Sequence, residues 1–217
     1  MEAFSLPKSM LERLREAGRS QDITPFSFLL ANFYLMLYQR TGQKEITVAV
    51  PSANRTRSAY KDGIGLFARN LPIRMQVVDH LPFGDYAREV HKTLREGMVH
   101  QDIAMHEVLK HMKIRDGRVF YALYQVCFIY QNAMLMQIEQ SGTVFKLELM
   151  WDLSGMARSN MVWQLYETPE GLEGYVEYAA RLFEQDTVVW FVENYQHLLE
   201  ETIQDPQRVI SEVVKNV

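Results

Sequence analysis

The chain carries six histidines, His80, His91, His100, His106, His111 and His197, and one cysteine, Cys127. Acid–base, nucleophilic or metal chemistry therefore has few places to start. His106-Glu107-Val108-Leu109-Lys110-His111 has the composition of a zinc-hydrolase helix, but that chemistry needs histidines at i and i+4, with both imidazoles on one helical face. At a separation of five, about 100° per residue turns the second ring roughly 140° from the first. The metal reading fails on geometry, and no metal site is expected. His100-Gln101-Asp102 places an imidazole two residues from a carboxylate, a pairing that suits a general base. So short a separation also makes a local cap with a surface imidazole, and that is the reading preferred for His100 and Asp102. Cys127 sits among Val126, Phe128 and Ile129. With no flanking charge to lower its pKa it reads as a small buried hydrophobe, and a lone cysteine offers no disulfide framework.

One stretch combines apolar weight with polar groups that need partners. Ile64 to Arg74 alternates Phe67, Leu71 and Ile73 with Arg69, Asn70 and Arg74, which predicts a strand entering a site. Gly63-Ile64-Gly65 opens it. A dinucleotide fingerprint would need a helix beginning at those glycines, whereas β-like sequence follows, so they read as turn residues. Neither a Gly-x-Ser-x-Gly elbow nor a phosphate loop is present.

The elements that would carry these residues follow from periodicity. Met10, Leu11 and Leu14 predict a short amphipathic helix between Pro7 and Gly18. Thr24-Pro25 is an N-cap and first-position proline for a helix from Phe26 to Tyr38, apolar nearly all round and therefore central. Glu45 to Val50 is a β-branched strand stopped by Pro51. Phe83, Tyr86, Ala87, Val90, Leu94 and Met98 make one stripe of a helix after Pro82, and Asp102 is placed to cap a second helix through Met112. Arg115 to Arg118 reads as a turn. Strands are predicted at Ala122–Tyr130, Thr143–Leu149, Met161–Glu167 and Leu172–Tyr178, the last two joined by the turn Thr168-Pro169-Glu170-Gly171. Asp186 caps a strong final helix that Asp205-Pro206 stops, and a short apolar segment, Val209 to Val214, follows.

At 217 residues and 47% apolar content the chain buries a substantial core, and residues 1–217 read as a single domain. The fold class is α/β, a mixed β-sheet with helices packed on it. A formal charge of −4 without a basic block excludes a nucleic-acid footprint. No apolar run reaches the ~18 residues of a membrane span and no secretory signal is seen, so no membrane partner and a cytoplasmic location are expected.

Taken in order, these pieces resemble a known family. Ile64 to Arg74, then His100-Gln101-Asp102, then Tyr124 to Asn132 occur in the order and spacing of the later motifs of condensation domains of nonribosomal peptide synthetases. Thr24-Pro25-Phe26, Gln43 through Pro51, Asn54-Arg55 and Trp151-Asp152-Leu153-Ser154 agree with the same family. The resemblance covers the C-terminal lobe of such a domain. It implies a chloramphenicol acetyltransferase-like lobe, and amide (or ester) bond formation between carrier-bound acyl or aminoacyl thioesters in a tunnel between two lobes.

On that resemblance the chain supplies one wall of the tunnel. The N-terminal catalytic lobe, with the family's paired histidines, is absent, so no catalytic residue is assigned to this chain and it is expected to be inactive alone. Candidate tunnel-lining residues are Arg69, Asn70, Arg74, Gln131, Asn132, Asp152 and Ser154, with His100 and Asp102 as weaker candidates. No cofactor of its own is implied, only the 4'-phosphopantetheine of its substrates. Implied partners are the N-terminal condensation lobe, peptidyl or acyl carrier proteins, neighbouring synthetase domains and, through an uncovered lobe face, further copies of itself. Two positions depart from the family pattern. Ala68-Arg69-Asn70 stands where the family usually has Val-Asn-Thr, and Ile103-Ala104-Met105 where it usually has Leu-Pro-Phe. A noncatalytic carrier-docking or recruitment module is the alternative reading. A third, a self-assembled acyltransferase of the same broad fold, makes His100 the residue to test.

Overall fold

The computed structural model describes residues 1–56, 58, 63–113, 123–131, 137–140, 143–146 and 159–215. Its centre is the apolar helix α2, Pro25–Thr41, reached from the short amphipathic α1, Lys8–Ser20. The Thr24 hydroxyl accepts the Ser27 N–H at 3.2 Å, and Pro25, which has no N–H to leave unsatisfied, opens the first turn. Gly42 closes the helix at φ 69°, in the left-handed region that favours glycine. Every residue from Ser27 to Leu37 is buried, because α2 packs against α3, Phe83–Val99, against α5, Gln185–Gln204, and against the sheet. Asn32 is tolerated inside this layer because it donates to Phe28 O at 3.1 Å and accepts from the Thr202 hydroxyl at 3.0 Å.

The remaining elements are β1 Glu2–Pro7, β2 Glu45–Ser52, β3 Arg69–Gln76, α4 Met105–His111, β4 Val126–Gln131, β5 Gln137–Gln140, β6 Thr143–Lys146, β7 Met161–Thr168, β8 Gly171–Tyr178 and α6 Ile210–Val213. Six strands form one mixed sheet in the order β1-β8-β7-β4-β2-β3, and β5 pairs with β6 separately. The central strand β4 runs parallel to both neighbours, while the outer pairings are antiparallel. The β4–β7 ladder spans the whole of β4, but β2 pairs with β4 only at Val48–Val126 and Ala49–Cys127. Beyond Ala49 the two strands part, and a cleft opens at their carboxyl ends, where parallel sheets commonly hold ligands.

The structure corrects several boundaries. The strand expected from Ile64 begins at Arg69, with Ile64 and Leu66 fully exposed. The Arg55 guanidinium holds that segment as a loop, donating to Gly63 O at 2.9 Å and Gly65 O at 3.4 Å while lying 4.6 Å over the Phe67 ring. Pro51 does not stop β2, which pairs with β3 through Ser52. The pairing of β2 with β4 has already ended there, so the missing N–H removes no bond to β4. Tyr124 precedes rather than joins β4. Asp102 does not cap α4, whose N-cap is Ala104 without a side-chain bond. The cap of α5 is Glu184, with Asp186 in the first turn, where its charge suits the helix dipole. Strand β1 has little signal in the sequence; its weak alternation carries only Phe4 and Leu6 inward, and its pairing with β8 makes it a strand. The turn expected at Arg115–Arg118 and the end of the strand expected to reach Leu149 lie outside the described residues.

Candidate functional site

Alternation on β3 sends Leu71, Ile73 and Met75 into the core and leaves Asn70, Arg74 and Gln76 exposed. Arg69 and Asn70, at the strand's start, meet three other elements. The Asn70 amide donates to the Tyr124 hydroxyl at 3.3 Å, just ahead of β4. Arg69 Nη1 donates to the Asp102 carbonyl at 3.0 Å. The Asn54 amide, oriented as its neighbours dictate, accepts from Arg69 Nε at 3.3 Å and donates to Asp102 Oδ1 at 3.0 Å. At the end of β2, the Ser52 hydroxyl donates to Gln101 Oε1 and accepts the Asn54 N–H at 3.2 Å. One polar network thus ties the ends of β2 and β3 to the His100-Gln101-Asp102 turn.

Of the residues singled out from sequence, Arg69, Asn70 and Asp102 come together here. Arg74 does not. It lies five residues along β3, about 17 Å away at ~3.4 Å per residue, and forms an exposed ion pair with Glu45. His100 ends α3 with an exposed side chain. Gln131 is the exposed last residue of β4, in register with Tyr166. Asn132, Asp152 and Ser154 lie outside the described residues.

The splay between β2 and β4 opens a cleft of about 580 Å³ between the N-terminus of α2, the C-terminal half of α3 and the end of β4. Phe26 stacks over Phe128 and Tyr130, its ring 6.0 Å from each, because residues two apart on a strand share a face. Glu167, the one acid among the described lining residues, is already engaged: the Tyr130 hydroxyl donates to Oε1 and Arg15 Nη2 sits 2.7 Å from Oε2. Burial first, then Glu167, pushes the Tyr130 pKa far above the ordinary phenol value, so it remains a neutral donor. His91 Nδ1 lies 2.8 Å from the Ser27 hydroxyl. Burial, then the Arg95 charge, holds the His91 pKa below the usual imidazole range despite Asp22, which keeps the ring neutral near pH 7. Arg95 and Met98 also border a second cleft, of about 440 Å³, whose rim includes Gln101 and Asp102.

This surface has an aromatic floor, neutral hydrogen-bond donors and cationic edges, which suits it to holding an extended apolar chain. Its described lining residues include no activated nucleophile. Cys127 lies on the opposite face of the sheet with Ala49, Tyr124 and Val162, and burial raises its thiol pKa to about 12. Among the described residues no cluster of His, Cys, Asp or Glu is arranged to hold a metal ion, and no helix is long and apolar enough to cross a membrane. Sequence reasoning missed Phe26, His91, Arg95 and Glu167 as lining residues. The only signal available for Glu167 was a charge at an inward position of an apolar strand.

A family model described as the condensation domain matches residues 1–215. The chain is 30% identical over 203 residues to a linear gramicidin synthase of Brevibacillus parabrevis, covering 93% of this chain and 4% of that protein. It is 28% identical over 217 residues to a surfactin synthase of Bacillus subtilis (strain 168), covering 97% and 6%. Among solved structures, the condensation domain from the monacolin K polyketide synthase superimposes with a TM-score of 0.82 at 22% identity, over 96% of this chain and 48% of that one. A four-domain nonribosomal peptide synthetase bound to AMP and glycine gives 0.86 at 20% identity, over 97% and 17%. The X-domain in complex with OxyB from teicoplanin biosynthesis gives 0.80 at 21% identity, over 98% and 47%. The chain therefore spans a few per cent of the synthetases it matches and about half of the solved single domains. The shared fold is the α/β, chloramphenicol acetyltransferase-like arrangement.

Proposed function

Because the chain belongs to the condensation-domain family, whose chemistry is amide-bond formation by nonribosomal peptide synthetases, we propose that it is the C-terminal lobe of such a domain. In this reading it forms one wall of the substrate tunnel. The observation that carries the proposal is the position of the clefts. They open where β2 and β4 part, bordered by the His100-Gln101-Asp102 turn and backed by the network through Arg69 and Asn70, on a chain about half the length of a solved domain.

The reaction asks that an amine on one carrier-bound group meet the carbonyl of another carrier-bound thioester. The wall contributes positioning, which converts an encounter of two tethered groups into an effectively unimolecular step. The aromatic floor of Phe26 and Tyr130, backed by the buried Phe128, accommodates an acyl or aminoacyl group, and His91 and the Tyr130 oxygen, whose proton goes to Glu167, are neutral and offer hydrogen bonds without drawing the amine into an ion pair. The 4'-phosphopantetheine arms arrive on carrier proteins. No base is assigned to this chain, which contains no two adjacent histidines, and the proton removed from the attacking amine passes to the partner lobe.

The test is reconstitution. The chain is mixed with a matching N-terminal lobe and both loaded carriers, and dipeptidyl thioester is sought by mass spectrometry. Product is expected only when both lobes are present. No product above background in any pairing overturns the catalytic reading.

A second reading, a noncatalytic recruitment module, is favoured by the likeness to a domain solved in complex with a separate protein. Carrier titration that shifts resonances of the chain while reconstitution yields no product would select it.

A further inference from the structure

We infer that Arg69 is a positioning residue that fixes the His100-Gln101-Asp102 turn, doing by hydrogen bonding what a proline at position 104 would do by restricting the backbone. Arg69 and Ala104 are 35 residues apart in the chain. In the fold they converge. Arg69 Nη1 donates to the carbonyl of Asp102, two residues before Ala104, and Arg69 Nε donates to the same Asn54 amide that holds Asp102 Oδ1. A planar fork with donors on two edges serves both acceptors at once, which neither asparagine nor lysine reproduces.

The turn needs such a hold. It joins α3 to the seven-residue α4, and the N-cap of α4, Ala104, provides no side-chain bond. A helix that short has little stability of its own. Its first turn rests on the Glu107 and Val108 amides bonded to Ala104 O at 2.9 and 3.4 Å. Ala104 itself sits at φ −71° and ψ 134°, inside the range that proline imposes. Among the described residues its N–H makes no backbone hydrogen bond, so proline there would sacrifice none. The backbone is already in the proline conformation without a proline, and Ser52, Asn54 and Arg69 tie the turn to the sheet from outside.

The consequence for the proposed tunnel wall is geometric. Gln101 and Asp102 form the rim of the second cleft, so Arg69 acts on substrate through that rim rather than by touching it. This consequence for turnover rests on the tunnel-wall reading; the effect on the turn itself does not.

The experiment is amide hydrogen exchange on the 217-residue chain, followed at Glu107 and Val108, in four proteins: the original, Arg69→Asn, Ala104→Pro and the double variant. Arg69→Asn is expected to speed exchange at least about tenfold, the effect of losing the charge-assisted hydrogen bonds to the Asp102 carbonyl and the Asn54 amide, without altering exchange in α2. Ala104→Pro should change little in the original background, where the turn is already held, and slow exchange about fivefold in the Arg69→Asn background, consistent with the proline effect on chain entropy. Arg69→Lys should behave like Arg69→Asn, because a single ammonium cannot serve both acceptors; this separates loss of the fork from loss of charge. Unchanged exchange in Arg69→Asn, or an equal proline effect in both backgrounds, overturns the inference. Failure of reconstituted product formation with normal exchange behaviour would count against the tunnel-wall reading alone.

Discussion

Cys127 offers a quantitative check on the covered second face of the sheet. Its thiol lies beneath Tyr124, beside Ala49 and Val162, and burial raises its pKa from near 9 to about 12. Three units correspond to about a thousandfold less thiolate at pH 8, and only the thiolate attacks an alkylating reagent. Modification by iodoacetamide at pH 8 should therefore run about a thousandfold slower in the folded chain than in urea. The same shift sets a sign for stability. A thiol whose folded pKa is raised contributes stability that is complete below pH 9 and is lost as pH rises through 12, up to about 4 kcal/mol at ~1.36 kcal/mol per unit. The buried phenols Tyr34, Tyr86 and Tyr195 are shifted upward by burial too, so the cysteine's share is the difference between the urea-unfolding profiles of the original chain and Cys127→Ala between pH 8 and 11. The original should lose stability faster. Tyr124→Ala, which uncovers the thiol and removes the acceptor of Asn70, should recover at least a tenfold gain in alkylation rate. A folded-state rate within tenfold of the unfolded rate would refute the reasoning, because it would mean that this face admits solvent to the sulfur.

Two other perturbations test the cleft floor and the far edge of the sheet. Phe128→Ala removes a fully buried ring packed on Phe33 at 4.8 Å and under Phe26 at 6.0 Å; a loss of about 3–5 kcal/mol in urea unfolding is expected, and less than about 1 kcal/mol would mean that the floor is not packed as described. Gly171→Val drives a Cβ into the Leu6 carbonyl and the Pro7–Lys8 backbone at a φ of 144°, so the end of β1 should detach from β8 and its amides lose protection from hydrogen exchange while α2 keeps its own; unaltered protection in β1 would contradict the pairing.

Where local chemistry suffices, sequence and structure agree. Thr24, Pro25 and Gly42 bracket α2 because capping, a fixed proline φ and a left-handed glycine act within one turn of the chain. The hairpin of β7 and β8 is legible in the same way, from apolar alternation around Pro169-Glu170. Agreement ends where a boundary depends on a distant partner. Ile64 to Ala68 has the pattern of a strand, but Arg55 holds it as a loop, and among the described residues no strand pairs with it. Glu2 to Pro7 has almost no pattern, but β8 supplies the ladder that makes it a strand.

By itself the sequence determined the α/β class, the central helix and the interest in Arg69 and Asn70, which rest on residue types and spacings within short windows, and the family resemblance, which rests on the order of such pieces along the chain. Only the tertiary structure decided what those two side chains do. In the sequence Arg69 is a candidate tunnel-lining residue; in the fold its guanidinium is engaged by Asn54 and the Asp102 carbonyl, and the cleft takes its character instead from Phe26, His91, Tyr130 and Glu167. Those four lie on four different elements, and they meet because β2 and β4 separate after Ala49, a divergence of strands that no single segment encodes.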